Sequence, residues 1–241
     1  MTSSKWAAIG GGVLLLAVLA APAHADNYGV IFSGGINAAN NHDRYYEETL
    51  RMWNIMTGTL GYDIDKVYVL FADGTDTGID RSNGTSSDWS AITGAGGNIS
   101  SATPGDLQSL LSDLDTIMRP NEDCFHFWSF DHGGNPTWDD SPPTPATLDA
   151  GYLCGWMDAT GGYKIQDDEF ASWVSGIDGY AESYAFGQCF AGDMVDDLNI
   201  VSGENRFAAW AAGWFEPSYG RGWVDAWADG LEAGNRSTTE L

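Results

Sequence analysis

Positive charge is what this sequence has least of. Lys and Arg together number 10 against 34 Asp and Glu, a formal net charge of -24. A nucleic-acid surface needs clustered Lys and Arg to neutralise phosphates, so that class of partner is excluded. An anionic membrane surface would repel the chain for the same reason. Cysteine is scarce as well. Only Cys124, Cys154 and Cys189 are present, and no C-x-x-C spacing occurs, which leaves no zinc motif. No internal repeat or long low-complexity linker divides the chain, so its 241 residues read as one domain with a sizeable core. Past residue 25, no apolar run is long enough to cross a bilayer.

The first 25 residues stand apart. Lys5, the apolar run Val13–Leu19 and the small-x-small triplet Ala23-His24-Ala25 predict a secretory signal peptide over 1–25, and a mature domain over 26–241. The expected location is therefore secreted or periplasmic, with no membrane attachment after cleavage. In such an oxidising compartment Cys124 and Cys154 are a possible disulfide, with two free buried thiols as the alternative.

The mature chain alternates apolar runs with amphipathic ones. Tyr28–Phe32, Val67–Phe71, Cys124–Phe130 and Ser183–Phe186 are short apolar runs, each followed by small or turn-forming residues, as buried parallel strands are. Arg206–Ala211 is a possible fifth. Residues 43–57 carry Tyr46, Leu50, Trp53 and Met56 at helical spacing, and Thr103-Pro104 opens a second helix holding Leu107, Leu111 and Leu114. Residues 151–165 suggest a hairpin and 167–177 a short helix, while 72–102 and Pro136–Pro145 read as loops. The expectation is an α/β fold, a mainly parallel sheet with helices on both faces.

Two reactive side chains fall at strand ends. His132 follows the third strand and Cys189 the fourth. In open α/β sheets ligands gather outside the carboxyl ends of the strands. An imidazole beside a thiol makes it a nucleophile at neutral pH, and small residues around both let a substrate backbone approach. The N–H groups of Gly133 and Cys189 are candidate oxyanion donors.

Phe125–Gly133, an apolar strand ending in His-Gly, and Tyr184–Gly192, an apolar strand ending in Cys followed by small residues, resemble the caspase–legumain superfamily of cysteine peptidases. Asn40-Asn41-His42-Asp43-Arg44, Thr103-Pro104, Ala211-Ala212 and Ser218-Tyr219 follow the order of the legumain (asparaginyl endopeptidase) branch. The resemblance runs from about Tyr28 to Asp225. It implies a caspase-like three-layer sandwich and a secreted cysteine endopeptidase that cuts peptide bonds through an acyl-enzyme, after Asn or Asp. It implies His132 as base and acid, Cys189 as nucleophile and Gly133 as oxyanion donor. It implies Asn41 or Asn40 steadying the imidazole, Arg44 reading the side chain before the cut, and residues 214–219, with Trp214, Ser218 and Tyr219, pairing with an extended protein or peptide substrate. Gly187 stands where legumains carry an acid that helps hold the substrate Asn.

Other readings stay open. A transpeptidase shares the same acyl-enzyme. An inactive relative would serve as an extracellular binding module, with Trp210, Trp214, Trp223 and Trp227 as a sugar or peptide platform. In the plainer reading those tryptophans are core and groove wall. Arg44 alternatively pairs with Glu47 or Glu48, Asp131 is not expected to orient His132, and His126 reads as a buried strand residue. No cofactor is expected. Asp73, Asp76 and Asp80 form an acidic loop that is either solvated or a calcium site.

Overall fold

The computed structural model describes residues 25–135, 151–198, 200, 205–214 and 216–234. The leader up to residue 24 and the expected loop at Pro136–Pro145 lie outside them. In chain order, β1 (Asn27–Ser33) leads to α1 (Asp43–Asn54), which ends in a wide π turn, Ile55–Thr59. Then come β2 (Val67–Phe71), α2 (Ser90–Thr93), β3 (Asn98–Ser100), α3 (Pro104–Ile117) and β4 (Cys124–Ser129). Three short strands follow, β5 (Gly133–Gly134), β6 (Tyr152–Cys154) and β7 (Lys164–Gln166). The chain then forms α4 (Asp167–Val174), β8 (Ala181–Phe186), α5 (Asp193–Asp196), β9 (Arg206–Trp210) and α6 (Gly222–Glu232).

Six strands make one sheet in the order β3-β2-β1-β4-β8-β9, and every pairing in it is parallel. Successive side chains on a strand point to opposite faces. Val30, Phe32, Phe125, Phe127, Tyr184 and Phe186 therefore enter one core, under Leu107, Leu111 and Leu114 of α3 and Phe170 of α4. Ile31, Val69, Phe71, Trp128 and Ala185 enter the other, under Met52 and Trp53 of α1 and Val224, Trp227 and Leu231 of α6. Both faces are covered, which is why these strands read as unbroken apolar runs. Each such fully buried aromatic or aliphatic side chain contributes roughly 1.5–3 kcal/mol. The result is the three-layer α/β sandwich expected.

Thr103 caps α3 as its sequence predicts, accepting the Asp106 N–H at 3.2 Å. The hairpin expected at 151–165 is β6 with β7, joined on its other edge by β5. Several elements depart from expectation, among them α2, a helical turn inside the stretch 72–102 read as a loop. A short edge strand, β3, lies inside the stretch read as a loop, because only Ile99 of its three residues packs against the core. Trp223 and Trp227 of the Trp-rich end lie in α6, where Val224, Trp227, Ala228 and Leu231 are buried at helical spacing. Among the described residues no helix is long and apolar enough to cross a membrane.

Candidate active site

The register of β4 and β8 brings His132 and Cys189 together. Ser129 pairs with Phe186, and Gly187 N donates to Ser129 O at 2.8 Å. Three residues beyond that pair on each strand are His132 and Cys189. Neighbouring strands lie about 4.8 Å apart, so His132 and Cys189 leave the sheet side by side at its carboxyl edge. The approach is so tight that a β-carbon on Gly133 would collide with the Cys189 carbonyl oxygen. Only glycine fits there.

His132 is held by its far nitrogen. Its Nε2 lies 3.0 Å from the carbonyl oxygen of Asn40. Nε2–H donates to that carbonyl, which assigns Nδ1 as the ring's proton acceptor. Tyr45 meets the ring edge-on at 5.3 Å between centroids, and His42 lies 5.4 Å away. Burial lowers the His132 pKa, the Asn40 carbonyl opposes this, and His42 and Arg44 lower it further. The imidazole is thereby kept neutral, the form that accepts a proton.

Asp131 does not touch the imidazole. Its carboxylate accepts the main-chain N–H of His132 at 2.6 Å and that of Gly35. It ties the turn after β1 to the histidine strand. Burial pushes its carboxyl up to about 7, against those hydrogen bonds and the charge of Arg44.

The thiol of Cys189 lies against the segment before α6. Ser218 N donates to Sγ at 3.3 Å, and Ser218 O stands 3.9 Å from Sγ. The residue after it, Phe190, has φ of +56°, a strained turn for a non-glycine residue that follows a nucleophile candidate. Gly133 pairs with Leu153, and Cys154 N donates to His132 O at 3.3 Å. This makes Gly133–Leu153 the non-hydrogen-bonded type of antiparallel pair, so the ladder leaves the Gly133 N–H unused. It remains for an oxyanion formed beside Cys189.

Other nominated residues divide. Arg44 is at the site, with its guanidinium 4.7 Å above the Tyr45 ring and Nη2 donating to Tyr45 Oη at 3.0 Å. It pairs with neither Glu47 nor Glu48, which bind Arg221 instead. Its Nε is buried and unpartnered. Asn41 is fully buried and turned away, its Nδ2 donating to Asp80 O at 2.7 Å. The imidazole is steadied by the main chain of Asn40, not by an asparagine side chain. Gly187 has no room for an acid: a β-carbon there would lie 2.7 Å from Val224 and 3.0 Å from Ser129 O. Trp214 packs over Gly192 and stays 46% exposed, and Tyr219 is 92% exposed beside Ser218. Of the other tryptophans, Trp227 is core, Trp223 stacks on it at 5.4 Å, and Trp210 is exposed.

The disulfide alternative is not formed. All three cysteines are free thiols. Cys124 opens β4, while Cys154 bonds to His132 beyond its carboxyl end. Eight residues at about 3.3 Å each separate the two ends, far beyond disulfide reach. Tyr45 and the Asn40 carbonyl escaped sequence reasoning. A tyrosine on a helix reads as core, and a main-chain acceptor carries no sequence signal. No protein-family model matches the chain, and no curated protein matches it.

Proposed function

We propose that this chain is a cysteine endopeptidase of the caspase–legumain type, exported from the cell. Cys189 attacks the peptide carbonyl while Nδ1 of His132 takes the thiol proton. The developing oxyanion is received by the N–H groups of Gly133 and Cys189. His132 then gives its proton to the leaving amine, and water, activated by the same ring, releases the acyl-enzyme. The substrate lies extended along 216–219, where the Ser218 carbonyl accepts the N–H of the residue before the cut. The observation that carries this reading is the imidazole fixed at Nε2 by Asn40, on the strand end beside the one that carries Cys189, with a Gly133 N–H that the ladder leaves unused.

Arg44 supports cutting after an acidic residue. Among the described residues it makes no ion pair, in a chain of net charge -24, and it lies within electrostatic reach of His132 and Asp131. With no acid at Gly187 to hold an amide, aspartate is preferred to asparagine. The test is digestion of an unfolded protein mixture by the wild type and by Cys189→Ala, with cut sites read by mass spectrometry. Cuts made only by the wild type, and mainly after Asp, support the reading. Equal digestion by both, or by neither under reducing conditions with calcium present, overturns it.

A further inference from the structure

Gln188 directly precedes Cys189 and is fully buried. Ser129 and Phe186 stand opposite each other on β4 and β8, and Phe186 enters the core under α3 and α4. Two residues on, Gln188 returns to that face, while Cys189 turns toward the segment before α6. The Oε1 of Gln188 accepts the Ser129 hydroxyl at 2.8 Å. Its methylenes lie against Gly133, where a β-carbon would stand 2.6 Å from Gln188 Cγ and 3.1 Å from its Cβ. The side chain thus reaches from the cysteine strand to the histidine strand, and its stem presses on the glycine that follows His132.

Gly133 needs such a brace. It forms a non-hydrogen-bonded pair with Leu153, so its own main-chain groups take no part in that ladder. Gln188 also carries a cost that plain packing would avoid. Its Nε2 is sealed from solvent and has no partner among the described residues. An unpaired buried donor is destabilising, and methionine would fill the same length without one. What the amide supplies and methionine does not is the acceptor for Ser129.

We propose that Gln188 is a positioning residue for the oxyanion site, a role that rests on the peptidase reading. Anchored on Ser129, its stem holds Gly133 against the Cys189 carbonyl. It thereby aims the Gly133 N–H at the oxygen that gains charge as Cys189 attacks. An oxyanion donor acts only where that charge develops, so a small drift of Gly133 weakens the transition state more than it weakens substrate binding.

The experiment compares the wild type with Gln188→Met and Ser129→Ala, which remove the anchor from either end. Each protein is tested for cleavage of a short peptide amide after Asp, for inhibition by the matching peptide aldehyde, and for alkylation of Cys189 by iodoacetamide. With the aldehyde, Sγ bonds to the carbonyl carbon, the C=O double bond opens and His132 takes the thiol proton, so the oxygen occupies the oxyanion position. Alkylation expels iodide from carbon and forms no oxyanion. In both variants kcat should fall about tenfold with KM within about twofold, and the aldehyde should bind about tenfold more weakly. Alkylation should stay within about twofold of wild type. The double variant should be no worse than either single one. Alkylation slowed as much as cleavage marks general damage to the site and overturns the brace. A wild type that neither cuts nor binds the aldehyde overturns the peptidase reading, and the brace with it. A wild type that does both, equalled by the two variants, overturns the brace alone.

Discussion

The strands β4 and β8 carry a histidine and a cysteine toward each end, and the two ends behave as opposites. At the amino end, Cys124 and His126 lie on β4 itself. His126 is 7% exposed, its Nδ1 is bonded to Ser183 and its Nε2 is buried without a partner among the described residues. Burial alone lowers its pKa to about 4. At the carboxyl end, His132 and Cys189 lie just past the strands, where the ladder has stopped consuming main-chain groups. There the ring is tethered through Nε2 to a main-chain carbonyl and the ladder leaves the Gly133 N–H unused, while the thiol is of the same intermediate exposure as Cys124. The same two residue types are packing on the sheet and chemistry beyond it. Residue type is not enough; the position beyond the strands, where main-chain groups are left free to act, makes the difference.

That contrast breaks most visibly at the two histidines. His132→Ala should lower kcat/KM for peptide cleavage by about 10²–10⁴-fold while leaving thermal stability nearly unchanged. His126→Ala should do the reverse. It opens a cavity between strands and is expected to lower stability by about 1–3 kcal/mol, read by urea unfolding, with kcat/KM within about twofold of wild type. A fall in kcat/KM for His126→Ala as large as that for His132→Ala would erase the distinction.

A finer contrast lies in the pH dependence of stability. Burial holds Asp131 at about 7 in the folded chain against an ordinary 3.8, so between those values the folded state binds the extra proton. Its contribution to stability falls as pH rises from about 4 to about 7. His126 works in the opposite sense. Its folded value is about 4 against an ordinary 6.5, so the unfolded state binds the extra proton and stability rises with pH through that window. Subtracting the wild-type unfolding curve from that of Asp131→Asn should therefore give a slope opposite in sign to that from His126→Ala. Slopes of the same sign would contradict the burial assigned to one of the two groups.

The sheet was legible because both its faces are covered. Continuous runs such as Val67–Phe71 and Cys124–Ser129 have no other home. His132 and Cys189 were legible because each follows such a run and small residues surround them. The edge strand β3 was not, since an exposed-intermediate-exposed triplet of Asn, Ile and Ser looks like loop. α6 carries a readable signal at Val224, Trp227, Ala228 and Leu231, and its tryptophans suit the core reading as well as a binding platform. Arg44 was expected beside Glu47 or Glu48 from helical spacing, yet both acids are taken by Arg221 from a distant part of the chain. A partner across tertiary space leaves no mark in local sequence. For the same reason Asn41, with its polar side chain in the right turn, was nominated for a role that the Asn40 main chain fills.

The central claim is that the carboxyl-end imidazole activates the carboxyl-end thiol. Its most direct measurement is the rate of iodoacetamide alkylation of Cys189 and Cys124, followed by mass spectrometry across pH 5–9 in wild type and His132→Ala. The account predicts that Cys189 reacts far faster than Cys124 near neutral pH, and that this advantage disappears in His132→Ala. Equal rates for the two thiols, or a Cys189 rate indifferent to the loss of His132, would contradict it.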